Sequence, residues 1–174
     1  MTQTRRSIGE MKTYLLEHQQ EIRRPRSETF AFFADAFNLE RITPSFLRFR
    51  ILTPAPIVMH AGTLLAYQLS LFGIRFRWKT LIEQWSPEES FVDVQIEGPY
   101  SLWRHTHAFE EIGKDRTLVR DHVEYQVPLG VIGRLANALF VARTLEKIFV
   151  ERERRINQLL SSEGVHSTHQ PGAG

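Results

Sequence analysis

Cysteine is absent from the 174 residues, which excludes disulfides, iron–sulfur clusters, thiolate zinc sites and a thiol nucleophile. That composition fits a reducing compartment, and the expected location is the cytoplasm. No apolar run in the chain approaches the roughly 20 residues needed to span a bilayer, and Met1 to Glu10 lacks the hydrophobic stretch of a signal peptide. No integral membrane segment is therefore expected. Phosphate-binding glycine loops, dinucleotide fingerprints and the Gly-x-Ser-x-Gly elbow of serine hydrolases are missing too. Neither sign of charge dominates, the formal net charge being +2. Arg48, Arg50, Arg75, Arg77 and Lys79 are scattered along strand-like segments opposite apolar positions. They read as a solvated face, so nucleic acid is not an expected partner.

What is present is an ordinary core-forming composition, 42% hydrophobic and 24% charged, in a chain long enough for one domain. Residues 1–10 read as a flexible tail, 11–160 as the domain, and 161–174, polar and rich in small residues, as a disordered tail. Both Met1 and Met11 are candidate starts. Tyr14, Leu16, His18, Gln20 and Ile22 alternate as one face of a first strand. Ser27 has the character of a helix N-cap, followed by the aromatic run Phe30, Phe32, Phe33 and Phe37 that Pro44 terminates.

Period-two patterning then takes over. Strands are expected at Phe46 to Thr53, Thr63 to Phe72, Ile74 to Trp85, Ser90 to Glu97, Leu102 to Ile112 and Arg116 to Val127. The separators contain Pro54, Pro56, Gly73, Pro87, Gly98-Pro99 and Gly113, and they are short enough for antiparallel neighbours. After Pro128-Leu129-Gly130 the apolar residues Ile132, Leu135, Leu139, Leu145, Phe149, Ile156 and Leu159 recur at helical spacing, giving one long amphipathic helix.

This order of elements, with the phrases Arg26-Ser27-Glu28-Thr29-Phe30-Ala31-Phe32-Phe33, Gly98 to Phe109 and Pro128-Leu129-Gly130, resembles the START-like helix-grip superfamily. That superfamily includes the polyketide cyclase/dehydrase and lipid-transport group. The resemblance implies an α+β fold in which a curved antiparallel sheet wraps around a long C-terminal helix, with short helices after the first strand. It also implies an elongated cavity between sheet and helix for a small hydrophobic or aromatic ligand. Members bind lipids, sterols, polyketides, quinones or plant hormones, and some catalyse cyclisation or dehydration. There is no shared catalytic signature to carry over.

Alternation places Trp103, His105, His107 and Phe109 on one face of their strand, and Val119, Asp121, Val123 and Tyr125 on one face of the next. Closed as a hairpin around Gly113 to Arg116, the two strands bring His107 opposite Asp121 and Trp103 opposite Tyr125. The His–Asp pair has three readings: a satisfied structural network, a polar anchor for a ligand, or an acid–base pair in a cyclase or dehydratase. Two histidines and a carboxylate also raise a metal, but no fourth ligand is evident, so neither a metal nor an organic cofactor is expected. Tyr67 and Trp78 are further candidates for the cavity wall, as are Asp93 and Gln95 unless Val92, Val94 and Ile96 form the inner face of that strand. On the helix, Leu139, Phe140 and Arg143 are candidate lid residues, with Gly130 and Gly133 as a flexible entry. Carrier or sensor of a hydrophobic small molecule is the leading expectation, ahead of a cyclase or dehydratase and of a protein-interaction module. Monomer and homodimer are both compatible with the pattern.

Overall fold

Alternating apolar residues build one seven-stranded antiparallel sheet in the order β1-β7-β6-β5-β4-β3-β2. The structure is a computed structural model describing residues 12–71 and 73–162. The expected N-terminal tail, Met11, Phe72, and the tail beyond Ser162 with His166 and His169 lie outside the described residues. The strands are β1 (Thr13–Ile22), β2 (Arg50–Ile51), β3 (Leu64–Leu71), β4 (Ile74–Ser86), β5 (Ser90–Glu97), β6 (Leu102–Gly113) and β7 (Arg116–Gln126). Helices α1 (Arg26–Ala34) and α2 (Ala36–Ile42) follow β1. Helix α3 (Gly130–Ala136) continues through a π turn, Asn137–Val141, into α4 (Ala142–Ser162).

β1 buries the face read from its alternation, ending on Gln20 and Ile22. The hairpin of β6 and β7 pairs His107 with Asp121 and Trp103 with Tyr125, the register expected from the turn. β5 turns Phe91 and Asp93 towards the helix side, although Val92 is also buried. Arg75, Arg77 and Lys79 on β4 are exposed, as an outer face should be. Among the described residues no helix is long and apolar enough to cross a membrane.

Leu145, Phe149, Ile156 and Leu160 of α4 are buried at steps of four and seven residues, forming the stripe that lies on the sheet. Ile156 and Leu160 join Ile22, Phe30, Phe91, Phe109 and Val119 at one end. Leu145 and Phe149 join Val123 and Tyr125 further along. Polar ties fix the helix to β1, with Gln20 Nε2 donating to Asn157 Oδ1 at 3.1 Å and to the Glu153 carbonyl at 3.2 Å.

Several local expectations are corrected. Ser27 lies inside the first turn of α1; Pro25 is the cap residue, and no side chain caps that end. The aromatic segment is two helices, broken at Asp35, whose side chain accepts from the Phe37 amide at 2.9 Å and so starts α2. The strand expected at Phe46 to Thr53 shrinks to two residues. Pro44 nucleates a 3-10 turn over Ser45–Leu47, and Arg48 at φ 44° reverses the chain. The last helix runs through Ser162 and so takes in the first two residues of the expected tail, Ser161 and Ser162.

Gly133 is a close-packing residue rather than a hinge, because a Cβ there would run into the carbonyl oxygen of Pro128. In a helix interior Gly→Ala ordinarily stabilises by about 0.5–1 kcal/mol. Here the clash reverses the sign, and Gly133→Ala is expected to cost about 1–3 kcal/mol of unfolding free energy. Urea denaturation checks this, and a more stable variant would show that α3 is not held against the β7–α3 connection.

Candidate functional site

The sheet and the helices do not close on one another completely. A cavity of about 670 Å³ lies between the inner faces of β3 to β6, helices α1 and α2, and the α3–α4 stretch. Most of its wall is aromatic or aliphatic. Tyr67 stacks on Trp78 with ring centroids 5.9 Å apart, and Trp103 meets Trp78 edge-on at 5.3 Å. Leu65, Leu69, Phe76 and Ile82 continue the sheet wall, and Leu39, Ile42, Leu145 and Phe149 face it from the helices.

Polar side chains also line it, and two buried hydrogen-bonded groups stand out. Thr80, fully enclosed, accepts from Trp78 Nε1 at 3.0 Å and bonds the Tyr67 hydroxyl at 2.9 Å. Both aromatic side chains thereby keep their polar atoms satisfied without water. Burial pushes the Tyr67 phenol up, so it stays neutral.

The second feature is a quartet from three adjacent strands. His105 and His107 project inward from β6, with their rings 3.7 Å apart. Asp93 of β5 lies on the cavity side and Asp121 of β7 behind them. His107 Nε2 bonds Asp93 Oδ2 at 3.0 Å, and His105 Nε2 bonds Asp121 Oδ1 at 2.9 Å. The remaining ring nitrogens face the opposite carboxylates: His105 Nδ1 is 3.6 Å from Asp93 Oδ2, and His107 Nδ1 is 2.9 Å from Asp121 Oδ1. That last contact is close but misaligned, leaving His107 Nδ1 without a directed hydrogen bond.

Burial opposes every charge in this quartet, yet the members offset it unequally. For His105 burial prevails, reinforced by His107, and its pKa is lowered, so the ring is neutral. For His107 burial is outweighed by Asp121 and Asp93, and its pKa is raised. Both carboxyls are held below their ordinary range despite burial, Asp93 first by His107 and Asp121 first by His105.

The structure brings Tyr67, Trp78, Asp93, Trp103, His105, His107 and Phe140 to the cavity. Asp121 supports the histidines from behind and is not part of the lining. Tyr125 donates its hydroxyl to Asn137 Oδ1 at 3.0 Å, bracing the π turn instead of reaching the cavity. Gln95 folds over its own turn, donating to the Tyr100 carbonyl at 2.7 Å and accepting from the Tyr100 amide at 3.3 Å. Of the lid candidates, Leu139 is half exposed and off the cavity, while Arg143 faces an outer groove with Phe46 and Lys147. The π turn rotates the helix, so positions counted on a regular α-helix miss their face.

Three residues of the site are not evident from local pattern. His18 of β1 places Nδ1 4.0 Å from Asp121 Oδ2 and Nε2 3.0 Å from Glu153 Oε2 of α4. Arg152 lines the cavity and lies over the Phe149 ring at 5.4 Å. His18 shares a face with Gln20 and Ile22, a usable signal for its inward direction. Nothing local announces its meeting with Asp121.

Residues 22–149 match the model of a family described as polyketide cyclase/dehydrase and lipid transport. No match emerges among curated protein sequences. Solved structures share the fold. A norcoclaurine synthase from Thalictrum is 16% identical, covering 90% of this chain and 99% of that one at a TM-score of 0.66. The Zhui aromatase/cyclase from Streptomyces sp. R1128 is 14% identical, with 94% and 100% covered and a TM-score of 0.63. A START superfamily protein from Mycobacterium smegmatis is 18% identical, with 83% and 98% covered and a TM-score of 0.61.

Replacing Thr80 by the near-isosteric Val strips the buried Trp78 Nε1–H and the Tyr67 hydroxyl of their shared partner. Thr80→Val is expected to lower unfolding free energy by about 1–3 kcal/mol, the cost of unsatisfied buried polar groups. Chemical denaturation measures it, and an unchanged midpoint would mean that solvent reaches the Tyr67 hydroxyl.

Proposed function

The chain belongs to the polyketide cyclase/dehydrase and lipid transport family, and from that premise we propose that it binds a small hydrophobic or aromatic molecule between sheet and helix as a carrier or sensor. The observation that carries the reading is the cavity itself: about 670 Å³ of largely apolar space with a polar cluster at Asp93, His105 and His107. Ligand pockets commonly occupy about 300–1,000 Å³, with mainly apolar walls and a few polar groups that set orientation. An apolar body with one oxygen-bearing end, as in a quinone, a fatty acyl chain or a polyketide-like aromatic, matches that division. The ligand-binding unit in this reading is the segment 11–160.

The mouth supports the same reading. Leu129, Ile132 and Phe140 line the cavity while remaining largely exposed to solvent. A bound apolar molecule covers part of that surface and so gains from its burial.

A second reading makes the protein a cyclase or dehydratase in which His107 and Asp121 form an acid–base pair. It is favoured by one observation: His107 both lines the cavity and sits between two carboxylates. The cyclase and the synthase among the similar structures lend it no residue, since at such identity they share the fold alone.

Native mass spectrometry of gently purified protein tests the binding reading, with denaturing extraction to identify any passenger. A lipid, quinone or aromatic is expected to travel with the chain or, after stripping, to rebind from a ligand panel. Trp103→Ala is expected to weaken that binding by at least about tenfold, because a lost aromatic wall forfeits more than 1.4 kcal/mol of contact, while the variant stays folded. No binder from a panel of lipids, quinones and aromatics would defeat the reading. If turnover is found, His107→Ala abolishing it with little change in affinity selects the enzyme; equal loss of both returns His107 to an anchoring role.

A further inference from the structure

We propose that Asp93, His105 and His107 form a binding site for a divalent transition-metal ion, with Asp121 holding the two imidazoles in place and one coordination position open to the cavity. The inference goes beyond ligand binding and does not depend on it.

Geometry is the main argument. One ligand atom from each of the three residues lies within 4.8 Å of the others, on buried or half-buried side chains. The closest are His107 Nε2 and Asp93 Oδ2 at 3.0 Å, with His105 Nδ1 and Asp93 Oδ2 at 3.6 Å. Nitrogen and oxygen donors bound at about 2.0–2.2 Å to one ion stand roughly 3–3.5 Å apart, so each histidine nitrogen already lies near the required distance from Asp93, and the two rings need only close on one another to share a cation. His-x-His on a strand supplies both rings from one rigid element, and Asp93 comes from the neighbouring strand.

Hydrogen bonding gives a second argument. His105 spends its Nε2 on Asp121. Its Nδ1 stands 3.6 Å from Asp93 Oδ2, too far for a hydrogen bond, and wherever that nitrogen carries no proton the two acceptors repel each other. A cation between them removes the conflict. His107 has the complementary flaw, a buried Nδ1 lacking a directed partner 2.9 Å from Asp121. With Nε2 on the metal, Nδ1–H is the natural donor to that oxygen. Asp121 would then accept from both imidazoles, the carboxylate–histidine–metal arrangement that sets ring orientation and basicity.

Charge points the same way. Two carboxylates face two imidazoles within a largely apolar wall, and a divalent cation among them balances carboxylate charge that is costly to bury. Arg152 acts on Asp93 through space, but no ion-pair contact joins them among the described residues. Metal binding at His107 Nε2 requires that nitrogen to give up its proton, so affinity rises with pH. A fourth protein ligand, whose absence argues against a metal when the sequence is read alone, is unnecessary where a position stays open for water or a ligand oxygen.

The test uses the full chain, stripped by chelator and titrated with Co²⁺, whose visible absorption reports nitrogen coordination, followed by displacement with Zn²⁺. His166→Ala/His169→Ala serves as the background, removing incidental affinity of the C-terminal histidines. One ion per chain with micromolar or tighter affinity is expected. Asp93→Asn and His105→Gln should each weaken binding at least about tenfold, and His122→Gln, at an exposed histidine, should leave it unchanged. Circular dichroism confirms folding, and if His105→Gln does not fold, the isosteric Asp93→Asn decides. Absence of stoichiometric Co²⁺ binding to the folded background protein overturns the proposal, as does affinity undiminished in Asp93→Asn.

Discussion

The pairing of β6 with β7 is the constraint on which the cavity wall depends. In this register Trp103 lies opposite Tyr125, His105 opposite Val123, His107 opposite Asp121 and Phe109 opposite Val119. Side chains alternate with a period of two, so a slip of one residue would send Trp103, His105, His107 and Phe109 to solvent and bring Arg104, Thr106 and Ala108 inside. Val123 and Val119 are essentially fully enclosed, which makes such a slip prohibitive. β1 adds to the lock by pairing with the far edge of β7, His18 facing Asp121. A tight turn and two apolar anchors thus fix the position of a polar group some distance along the hairpin.

Within that frame the sheet and α4 divide the interior unequally. Where Ile22, Phe30, Phe109, Val119 and Ile156 meet, side chains fill the space. Where Tyr67, Trp78 and Trp103 meet the α3–α4 stretch, they do not, and the cavity results. The π turn at Asn137–Val141 sits over this gap, anchored by the Tyr125 hydroxyl on Asn137. An inserted residue of this kind rotates the helix locally, and such turns are frequent at functional sites. It leaves Leu135 and Leu139 exposed while Val141 and Leu145 keep to the cavity.

The antiparallel meander of β3 to β7, the parity of β6 and β7 and the His107–Asp121 pairing were legible because each depends on period two plus a short turn. The helix after Gly130 was legible from its apolar stripe. What escaped is what local pattern does not encode. That Asp93 closes on His107 needs the β5–β6 register, in which Phe91 pairs with His107 and Asp93 with His105, and β5 carries apolar residues on both faces. Gln95 has the parity of a wall residue but spends its amide on the Tyr100 backbone. Arg143 was misplaced because the π turn shifts the helical phase before it. His18 and Glu153 meet across 135 residues, a contact only the closed fold defines.

A polar cluster in an apolar wall costs stability unless it is paired, and here each carboxylate meets both imidazoles. The arrangement leaves a polar corner from which a ligand can be oriented, while the aromatic walls supply the contact area. The most direct measurement is heteronuclear NMR of the labelled chain titrated with 1-naphthol, an aromatic body carrying one hydroxyl. The account expects saturable shifts at the Trp78 and Trp103 indoles and at the His105 and His107 rings, with the outer face of β4 unaffected. Shifts confined to exposed residues, or none at saturating probe, would contradict a ligand cavity between sheet and helix.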